Sequence, residues 1–234
     1  MSLLFQIKNI ALNYGELNIL NDFSMEDNGS QFICLLGSSG IGKTSILNII
    51  SGLIKPVCGS VFSNNKRIAY VFQEPRLLPW MTVEENIEIG LFAIDKDSRS
   101  RKQAVKKIIK KIGLENFAKY YPEQLSGGMK QRVSIGRAFV TKPELLLLDE
   151  PFSGLDDALK TDMQDLLLTL EDWHLCTTIM VTHDIQEAIT LANRIILVAG
   201  RPCRIILDMI LGAKEKENIG YRNSLEKKIL NYLY

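Results

Sequence analysis

A glycine-rich segment of eight residues, from Gly37 to Thr44, limits the possible folds of this chain more than any other feature. It follows an apolar run that predicts a strand ending at Leu36, and a helical pattern begins at Lys43. In this setting, glycines allow successive backbone N–H groups to curl around a phosphate, and the helix N-terminus adds the positive end of its dipole. A chance glycine-rich turn is the alternative, but it would not require a strand before it and a helix after it. The segment therefore predicts a phosphate-binding loop.

Two side chains of this loop suit other parts of a nucleoside triphosphate and its metal. Lys43 can reach the β and γ phosphates, and the hydroxyl of Thr44 can ligate Mg²⁺. The predicted nucleotide-binding residues are those of this segment and the residue after it: Gly37, Ser38, Ser39, Gly40, Ile41, Gly42, Lys43, Thr44 and Ser45.

Short apolar segments alternate with helical patterns along much of the chain, which predicts a parallel sheet covered by helices. The predicted strands span 31–36, 68–72, 145–148, 177–181 and 194–198, and the predicted helices span 43–51, 130–140, 155–171, 185–192 and about 225–233. Residues 1–25 and 59–63 are expected to add antiparallel strands. The expected fold is an α/β P-loop NTPase core with a mainly parallel sheet, antiparallel β additions and an inserted helical subdomain, roughly 83–140. We expect one domain spanning 1–234, with a tail at 212–234.

The charge balance argues against nucleic acid or an anionic membrane as the main partner. Lys and Arg number 28 against 27 for Asp and Glu, so the formal net charge is +1. The helical pattern at residues 99–111 is strongly basic, but no aromatic residue is interleaved with its charges, so we favour a solvated face. The amino terminus lacks the basic start of a signal peptide, and no run of about 18 apolar residues could span a bilayer. We therefore expect a cytoplasmic protein that reaches the membrane through partners.

A second candidate for chemistry is the apolar run 145–148, which ends in Asp149 and Glu150. If this run is a parallel strand, both carboxylates lie at the carboxyl edge of the sheet, where open α/β sheets bind ligands. Asp149 then suits Mg²⁺ binding through water, and Glu150 suits polarisation of an attacking water. Alone, such an ending would more often be a helix-capping turn, but the phosphate-binding loop favours the catalytic interpretation.

Ser126, Gly127 and Gly128 open another predicted helix and form a second anion-binding nest. A second nest in a chain that already has one indicates a composite site. The segment 125–132, with the sequence LSGGMKQR, resembles the signature sequence of the ATP-binding cassette (ABC) family. The other motifs follow in the order of that family.

Four further residues match landmarks of the ABC family, and the resemblance gives each a role. Tyr14 lies where the family stacks adenine, and Gln73 lies where it has a glutamine that contacts Mg²⁺. Asp156 belongs to the loop after the catalytic glutamate, and His183 matches the switch histidine that contacts the γ-phosphate. Taken alone, these four residues would be a surface aromatic, an edge polar group, a helix cap and a strand-end histidine.

The segment from Gln73 to Ile87 is similar to the corresponding part of bacterial importer ATPases for nitrate, aliphatic sulfonates, taurine and thiamine precursors. In those proteins it forms part of a groove for a cytoplasmic helix of the membrane subunit, so we expect permease subunits to dock near Arg76 to Ile87. Prolines would stiffen the loop, and exposed apolar side chains would anchor the partner. These residues are Pro75 and Pro79, and Leu77, Leu78 and Trp80. Alternatively, the apolar side chains close the local core.

The resemblance covers about residues 3–211 and implies the nucleotide-binding subunit of an ABC importer, with ATP and Mg²⁺ as cofactors. Two copies would close head to tail on two ATP molecules at the inner face of the cell membrane and drive permease subunits. An extracytoplasmic solute-binding protein would be an indirect partner, and nucleic acid would not be one. The implied catalytic residues are Glu150, His183 and Lys43, and the implied metal-binding residues are Thr44, Gln73 and Asp149. The expected solute is small, in the class of sulfonate, nitrate or taurine.

Two alternatives are left open by the sequence. One is an ABC exporter, against which only the resemblance of the segment from Glu74 to Ile87 to importers argues. A soluble ABC ATPase acting on DNA or the ribosome is disfavoured, because Gln73 and Ser126 are too close for an inserted coiled coil and the chain has one phosphate-binding loop.

Overall fold

A computed structural model describes residues 5–27, 32–212, 216 and 218–233 and divides the chain into two units. The first unit comprises Met1–Lys66 and Thr177–Tyr234, and the second comprises Arg67–Cys176. In chain order, the strands are β1 (Phe5–Tyr14), β2 (Leu17–Asp27), β3 (Phe32–Leu36), β4 (Cys58–Ser63), β5 (Ile68–Val71), β6 (Leu145–Asp149), β7 (Thr177–Thr182), β8 (Arg194–Ala199) and β9 (Arg204–Ile210). The helices are α1 (Lys43–Ile50), α2 (Val83–Glu88), α3 (Ser98–Lys111), α4 (Gly127–Phe139), α5 (Asp157–Trp173), α6 (Ile185–Leu191) and α7 (Ile219–Leu233).

The first unit contains an antiparallel sheet in the order β2-β1-β4. Strand β1 alternates partly between buried and exposed side chains, as expected of a sheet with one face on a core. The antiparallel additions predicted for residues 1–25 and 59–63 are thereby confirmed, for the part that the structure describes.

The first unit also holds strands β7, β3, β8 and β9, which are neighbours in that order. All side chains of β3 and β7 are buried, as predicted for parallel strands covered on both faces. Leu36 pairs with Thr182 and with Leu197, so these parallel strands end at the same edge. The segments that follow them, 37–42 and 183–184, therefore start side by side.

The second unit pairs β5 with β6 in parallel, from Ile68 opposite Leu145 to Val71 opposite Leu148. The segment 83–124 contains helices and no strand, as predicted. Helix α3 buries Val105, Ile108 and Ile109 and turns most of its basic side chains outward.

The predicted strands and helices are all present, and their described ends lie within three residues of the prediction, with one exception. Residue 31 lies outside the described residues. Helix α4 begins three residues before the predicted start, because the Ser126 side chain caps it by accepting from Met129 N. Helix α5 begins two residues later than predicted because Asp156 caps it through Leu159 N. The exception is α7, which starts six residues before the predicted 225.

Candidate functional site

The predicted phosphate-binding loop lies between β3 and α1, and close packing explains two of its glycines. A Cβ atom on Gly37 would lie 2.4 Å from the carbonyl oxygen of Val198, and one on Gly42 would lie 2.7 Å from Cγ2 of Ile19. Gly42 also has a φ of +115°, which L side chains rarely adopt. Only glycine fits at either position, so the path of the loop is set by its neighbours in the first unit.

Lys43, the first residue of α1, is buried and points back onto this loop. Its Nζ donates to the carbonyl oxygens of Gly37 at 2.8 Å and Ser38 at 2.9 Å. A phosphate oxygen forms stronger charge-assisted bonds to an ammonium group than a neutral carbonyl does. The loop thus holds a cation that a nucleotide phosphate can recruit, and its donor set fits a nucleoside triphosphate.

Two other side chains of the first unit lie beside the loop and its helix. The hydroxyl of Tyr14 is 3.4 Å from Oγ of Ser45 on α1, while its side chain is 49% exposed. Arg201 donates from Nη2 to the Gly40 carbonyl oxygen at 3.2 Å. The structure therefore places Tyr14 next to the helix that the loop opens, and it adds Arg201, which sequence reasoning missed.

His183 leaves the sheet directly after β7, at the edge where β3 ends. The Gly37 N–H donates to the carbonyl oxygen of Thr182 at 3.3 Å, so the first residue of the loop contacts the residue before the histidine. His183 itself is exposed. In the first unit, Tyr14 and His183 therefore both lie near the phosphate-binding loop, although the three were predicted from separate segments of the sequence.

In the second unit, Asp149 is the last residue of β6 and is buried. The hydroxyl of Tyr70, on the neighbouring strand β5, donates to Oδ2 of Asp149 at 3.3 Å. Burial, and then the Asp149 charge, raise the pKa of Tyr70, so this phenol stays a neutral donor at physiological pH. A carboxylate at this edge of the sheet is the kind of oxygen ligand that Mg²⁺ prefers, and the residues present fit that ion.

Glu150 has an unusual backbone for a residue other than glycine. Its φ is +43°, in the left-handed region, and its carbonyl oxygen accepts from Ser153 N at 3.1 Å in a tight turn. A non-glycine residue held in a sparsely populated region costs about 1–3 kcal/mol, and such residues cluster at functional sites. The strain singles out Glu150 among the carboxylates of the second unit.

Gln73 follows β5 in the second unit and reaches the same turn. Its Nε2 donates to Oγ of Ser153 at 3.4 Å, which leaves its amide oxygen as the atom suited to a metal or to water. Gln73, Asp149 and Glu150 therefore belong to one cluster, as their positions after neighbouring parallel strands imply.

The signature segment opens α4 with an exposed N-terminus. A Cβ atom on Gly127 would meet nothing within 4 Å, whereas one on Gly128 would lie 3.3 Å from Cδ2 of Leu159. Ser126 and Asp156 both act as helix caps in this chain, so the simpler role considered for Asp156 is confirmed. An open helix N-terminus beginning with glycine fits an anion, which is what the motif predicts.

Helix α4 also makes a contact that the sequence did not reveal. The buried Gln131 donates from Nε2 to the carbonyl oxygen of Pro151 at 2.8 Å. Pro151 directly follows Glu150, so the signature helix is tied to the strained turn. The spacing of twenty residues gives no local signal for this bond.

The segment expected to dock a permease is ordered by the fully buried Asn86 of α2. The Asn86 amide donates to the carbonyl oxygens of Leu78, Met81 and Thr82 and accepts from Leu78 N at 2.7 Å. These bonds draw Leu78 toward α2, and the structure corrects the expectation that Leu77 and Leu78 are exposed: both are half-buried. Trp80 is 69% exposed, as predicted.

Replacing Asn86 by alanine is expected to lower the free energy of unfolding by about 2–4 kcal/mol, because several buried backbone groups lose their partner at once. Urea denaturation of the purified chain measures the change. The neighbouring exposed Glu85→Ala variant, which loses a capping contact to Thr82, is the control and should lose no more than about 1–2 kcal/mol. Equal losses in the two variants would contradict the role given to Asn86.

Comparisons with known proteins agree with these motifs. The family model of the ABC transporter matches residues 20–153, which is more than half of the chain. The chain belongs to the ABC transporter family. Within that family it is 42% identical, over 83% of this chain and 82% of the relative, to an aliphatic sulfonates import ATP-binding protein of Pseudomonas syringae pv. tomato.

Solved ABC cassettes have the same fold. A bacterial ABC transporter cassette solved as a dimer matches 90% of this chain and all of its own, with a TM-score of 0.80 and 30% identity. The same cassette in a post-hydrolysis state, bound to ADP and phosphate, matches with a TM-score of 0.79 and 29% identity. The chain is therefore an ABC ATPase with a P-loop α/β fold, as the sequence predicts. Among the residues that the structure describes, no helix is both long and apolar enough to cross a bilayer.

Proposed function

We propose that this chain is the ATP-hydrolysing subunit of an ABC importer that takes up a small sulfonate-like anion. The observation that carries the ATPase part is the glycine loop between a buried strand and α1, with the Lys43 ammonium held against its carbonyls. The importer part rests on the relative named as an aliphatic sulfonates import protein, at 42% identity. We regard 1–234 as one ABC ATPase domain with a helical subdomain at about 83–140.

The proposed chemistry assigns a role to each side chain. Lys43 and the loop N–H groups bind the phosphates of ATP, and Tyr14 packs on adenine. Thr44, Gln73 and Asp149 are suited to hold Mg²⁺, which supplies charge neutralisation on the phosphates when bound.

Two further groups act at the γ-phosphate. Glu150 accepts a hydrogen bond from the attacking water and orients it, and His183 donates to the γ-phosphate. Because phosphoryl transfer to water depends mainly on positioning, the strained Glu150 backbone would help by fixing one direction for its carboxylate.

A second copy of the chain completes the proposed site. The N-terminus of α4, where Ser126 and Gly127 are exposed and Gly128 is buried, is suited to bind a phosphate of the ATP held by the partner subunit in a head-to-tail dimer. Asp156 lies in the loop after Glu150 and caps α5. A similar cassette solved as a dimer supports the pairing of two copies.

Permease subunits would hold the chain at the inner face of the cell membrane, and an extracytoplasmic binding protein would deliver the solute. Co-purification of the chain with its permease, followed by uptake assays in vesicles, tests the proposal. Hydrolysis of ATP should increase when the matching binding protein is loaded with an aliphatic sulfonate. Stimulation by no sulfonate, nitrate or taurine would exclude the proposed solute class, and ATP-dependent efflux would show an exporter.

Trp80→Ala is expected to weaken association with the permease about 30-fold, because losing a large aromatic anchor at an interface typically costs about 2 kcal/mol or more. ATP binding by the isolated chain should be nearly unchanged. The other tryptophan, Trp173, provides a matched control: it is 37% exposed and lies under the ammonium of Lys111 at 5.0 Å. If Trp80→Ala and Trp173→Ala bind the permease equally well in a pull-down, Trp80 does not anchor the permease and only packs locally.

A further inference from the structure

Thr182 and Glu187 form a buried pair that none of the sequence motifs accounts for. Both side chains are almost fully buried, and Oγ1 of Thr182 donates to Oε2 of Glu187 at 2.6 Å. A carboxylate removed from water is costly unless it is hydrogen-bonded, and hydrogen bonds to a charged acceptor are about twice as strong as neutral ones. The orientation of the Thr182 hydroxyl is therefore strongly fixed.

The same hydroxyl also holds the backbone on the far side of His183. The Asp184 N–H donates to Oγ1 of Thr182 at 3.0 Å. Because a carboxylate can only accept, the hydroxyl proton points to Glu187 and an oxygen lone pair is left for Asp184. The Asp184 side chain in turn caps α6, the helix that carries Glu187, by accepting from Gln186 N and Glu187 N. Hydrogen bonds therefore hold the residues on both sides of His183, Thr182 and Asp184, in place.

Thr182 contacts the phosphate-binding loop through its main chain as well. Its carbonyl oxygen accepts from Gly37 N at 3.3 Å, and the Gly37 carbonyl oxygen accepts from Lys43 Nζ at 2.8 Å. One residue therefore connects the buried carboxylate, the histidine turn and the start of the loop, all inside the first unit.

We propose that Glu187 is a positioning residue that, through the Thr182 hydroxyl, sets the direction of His183 relative to the phosphate-binding loop. Its kinetic consequence rests on the role proposed for His183, whereas the geometry can be tested without nucleotide. Removal of the hydroxyl lets the turn relax, so His183 changes its surroundings while Lys43 keeps its two bonds to the loop.

The histidine content of the chain makes a direct test possible. There are two histidines, His174 and His183. His174 lies in the second unit, where its Nε2 is 2.8 Å from the carbonyl oxygen of Pro143, so it serves as an internal reference. In the full chain with ¹³C-labelled histidine and no nucleotide, Thr182→Val should move the His183 Cε1–H signal by several line widths. The His174 signal should stay in place. A His174→Gln variant assigns the two signals.

Two further variants keep the test decisive. Thr182→Ser keeps the hydroxyl and should restore the His183 signal to the wild-type position. Glu187→Gln keeps the shape of the side chain but weakens the hydrogen bond from the Thr182 hydroxyl. The His183 signal should therefore move in the same direction as in Thr182→Val, by a smaller amount. If Thr182→Val does not fold, Glu187→Gln takes its place in the test. An unmoved His183 signal in both Thr182→Val and Glu187→Gln would overturn the proposal. So would equal movement of both histidines, or equal movement in the serine and valine variants.

Kinetics provide a second readout that a purely structural role would not give. For Thr182→Val we expect kcat for ATP hydrolysis to fall about 10-fold or more with KM for ATP within about 2-fold, because positioning in the transition state is lost and binding is retained. A proportional loss in binding with unchanged kcat would overturn the positioning role. Absence of hydrolysis by the wild-type chain would instead contradict the proposed function, and the histidine spectra would still decide the geometry.

Discussion

Replacing Glu150 by glutamine is expected to lower kcat for ATP hydrolysis by about 100- to 10,000-fold while ATP and Mg²⁺ still bind. The amide has the shape of the carboxylate but cannot take a proton from water or polarise it equally. The phosphate contacts proposed for Lys43 and the metal contacts proposed for Asp149 are unaffected. With hydrolysis blocked, ATP should accumulate in a stable dimer.

Size-exclusion chromatography with ATP, together with a phosphate-release assay, measures both parts of this prediction. Glu144→Gln is a matched control, because Glu144 immediately precedes β6 and pairs with Arg67 at 3.3 Å on the surface of the same unit. That control should hydrolyse ATP at close to the wild-type rate and form no stable dimer. Wild-type turnover by Glu150→Gln, or a chain that stays monomeric with ATP, would remove Glu150 from the proposed role.

Mixing two inactive variants, Lys43→Ala and Ser126→Arg, is expected to restore one ATP-binding site per dimer. In a head-to-tail dimer each site takes its loop from one subunit and its signature nest from the other. The mixed dimer therefore gathers both defects in one site and leaves the other intact. Loss of the Lys43 charge weakens phosphate binding, and arginine at Ser126 blocks the nest by bulk, so neither homodimer has an intact site.

The same two substitutions placed in one chain provide the control. A dimer of this double variant with a wild-type chain has a defect in each site, although it contains the same altered residues as the mixed dimer. Purified, differently tagged dimers, held together by permease subunits where needed, should occlude about one ATP in the first arrangement and none in the second. Equal ATP retention in the two arrangements would show that Ser126 does not complete a site in the partner subunit.

The sequence could predict the elements whose signal is local. Continuous apolar runs identified the buried strands β3, β6 and β7, because strands covered on both faces need no polar alternation. The phosphate-binding loop and its helix were equally clear, since glycines at fixed spacing are dictated by backbone geometry. Helix ends were less certain, because Ser126 and Asp156 move the boundaries by capping, which periodicity does not show.

Strand β9 was not predicted at all. It pairs antiparallel with β8 at the margin of the first unit, and its side chains are exposed or half-buried, which leaves little apolar signal. The sequence also could not predict buried hydrogen bonds between residues that are far apart in the chain. Tyr70 bonds to Asp149 across 79 positions and Gln131 to Pro151 across 20, and only the fold brings such partners together.

Helix α4 connects several parts of the second unit. Ser126 caps its start, and Gln131 in its second turn donates to the Pro151 carbonyl oxygen in the turn after Glu150. Near its end, Arg137 donates to the carbonyl oxygens of Pro75 and Arg76. Ser126 and Arg137 are eleven residues apart, about 16 Å along a helix that is too stiff to absorb a small displacement. A displacement of Pro75 and Arg76, at the start of the segment that contains Trp80, is therefore expected to shift the helix as one body and to move the signature glycines at its other end.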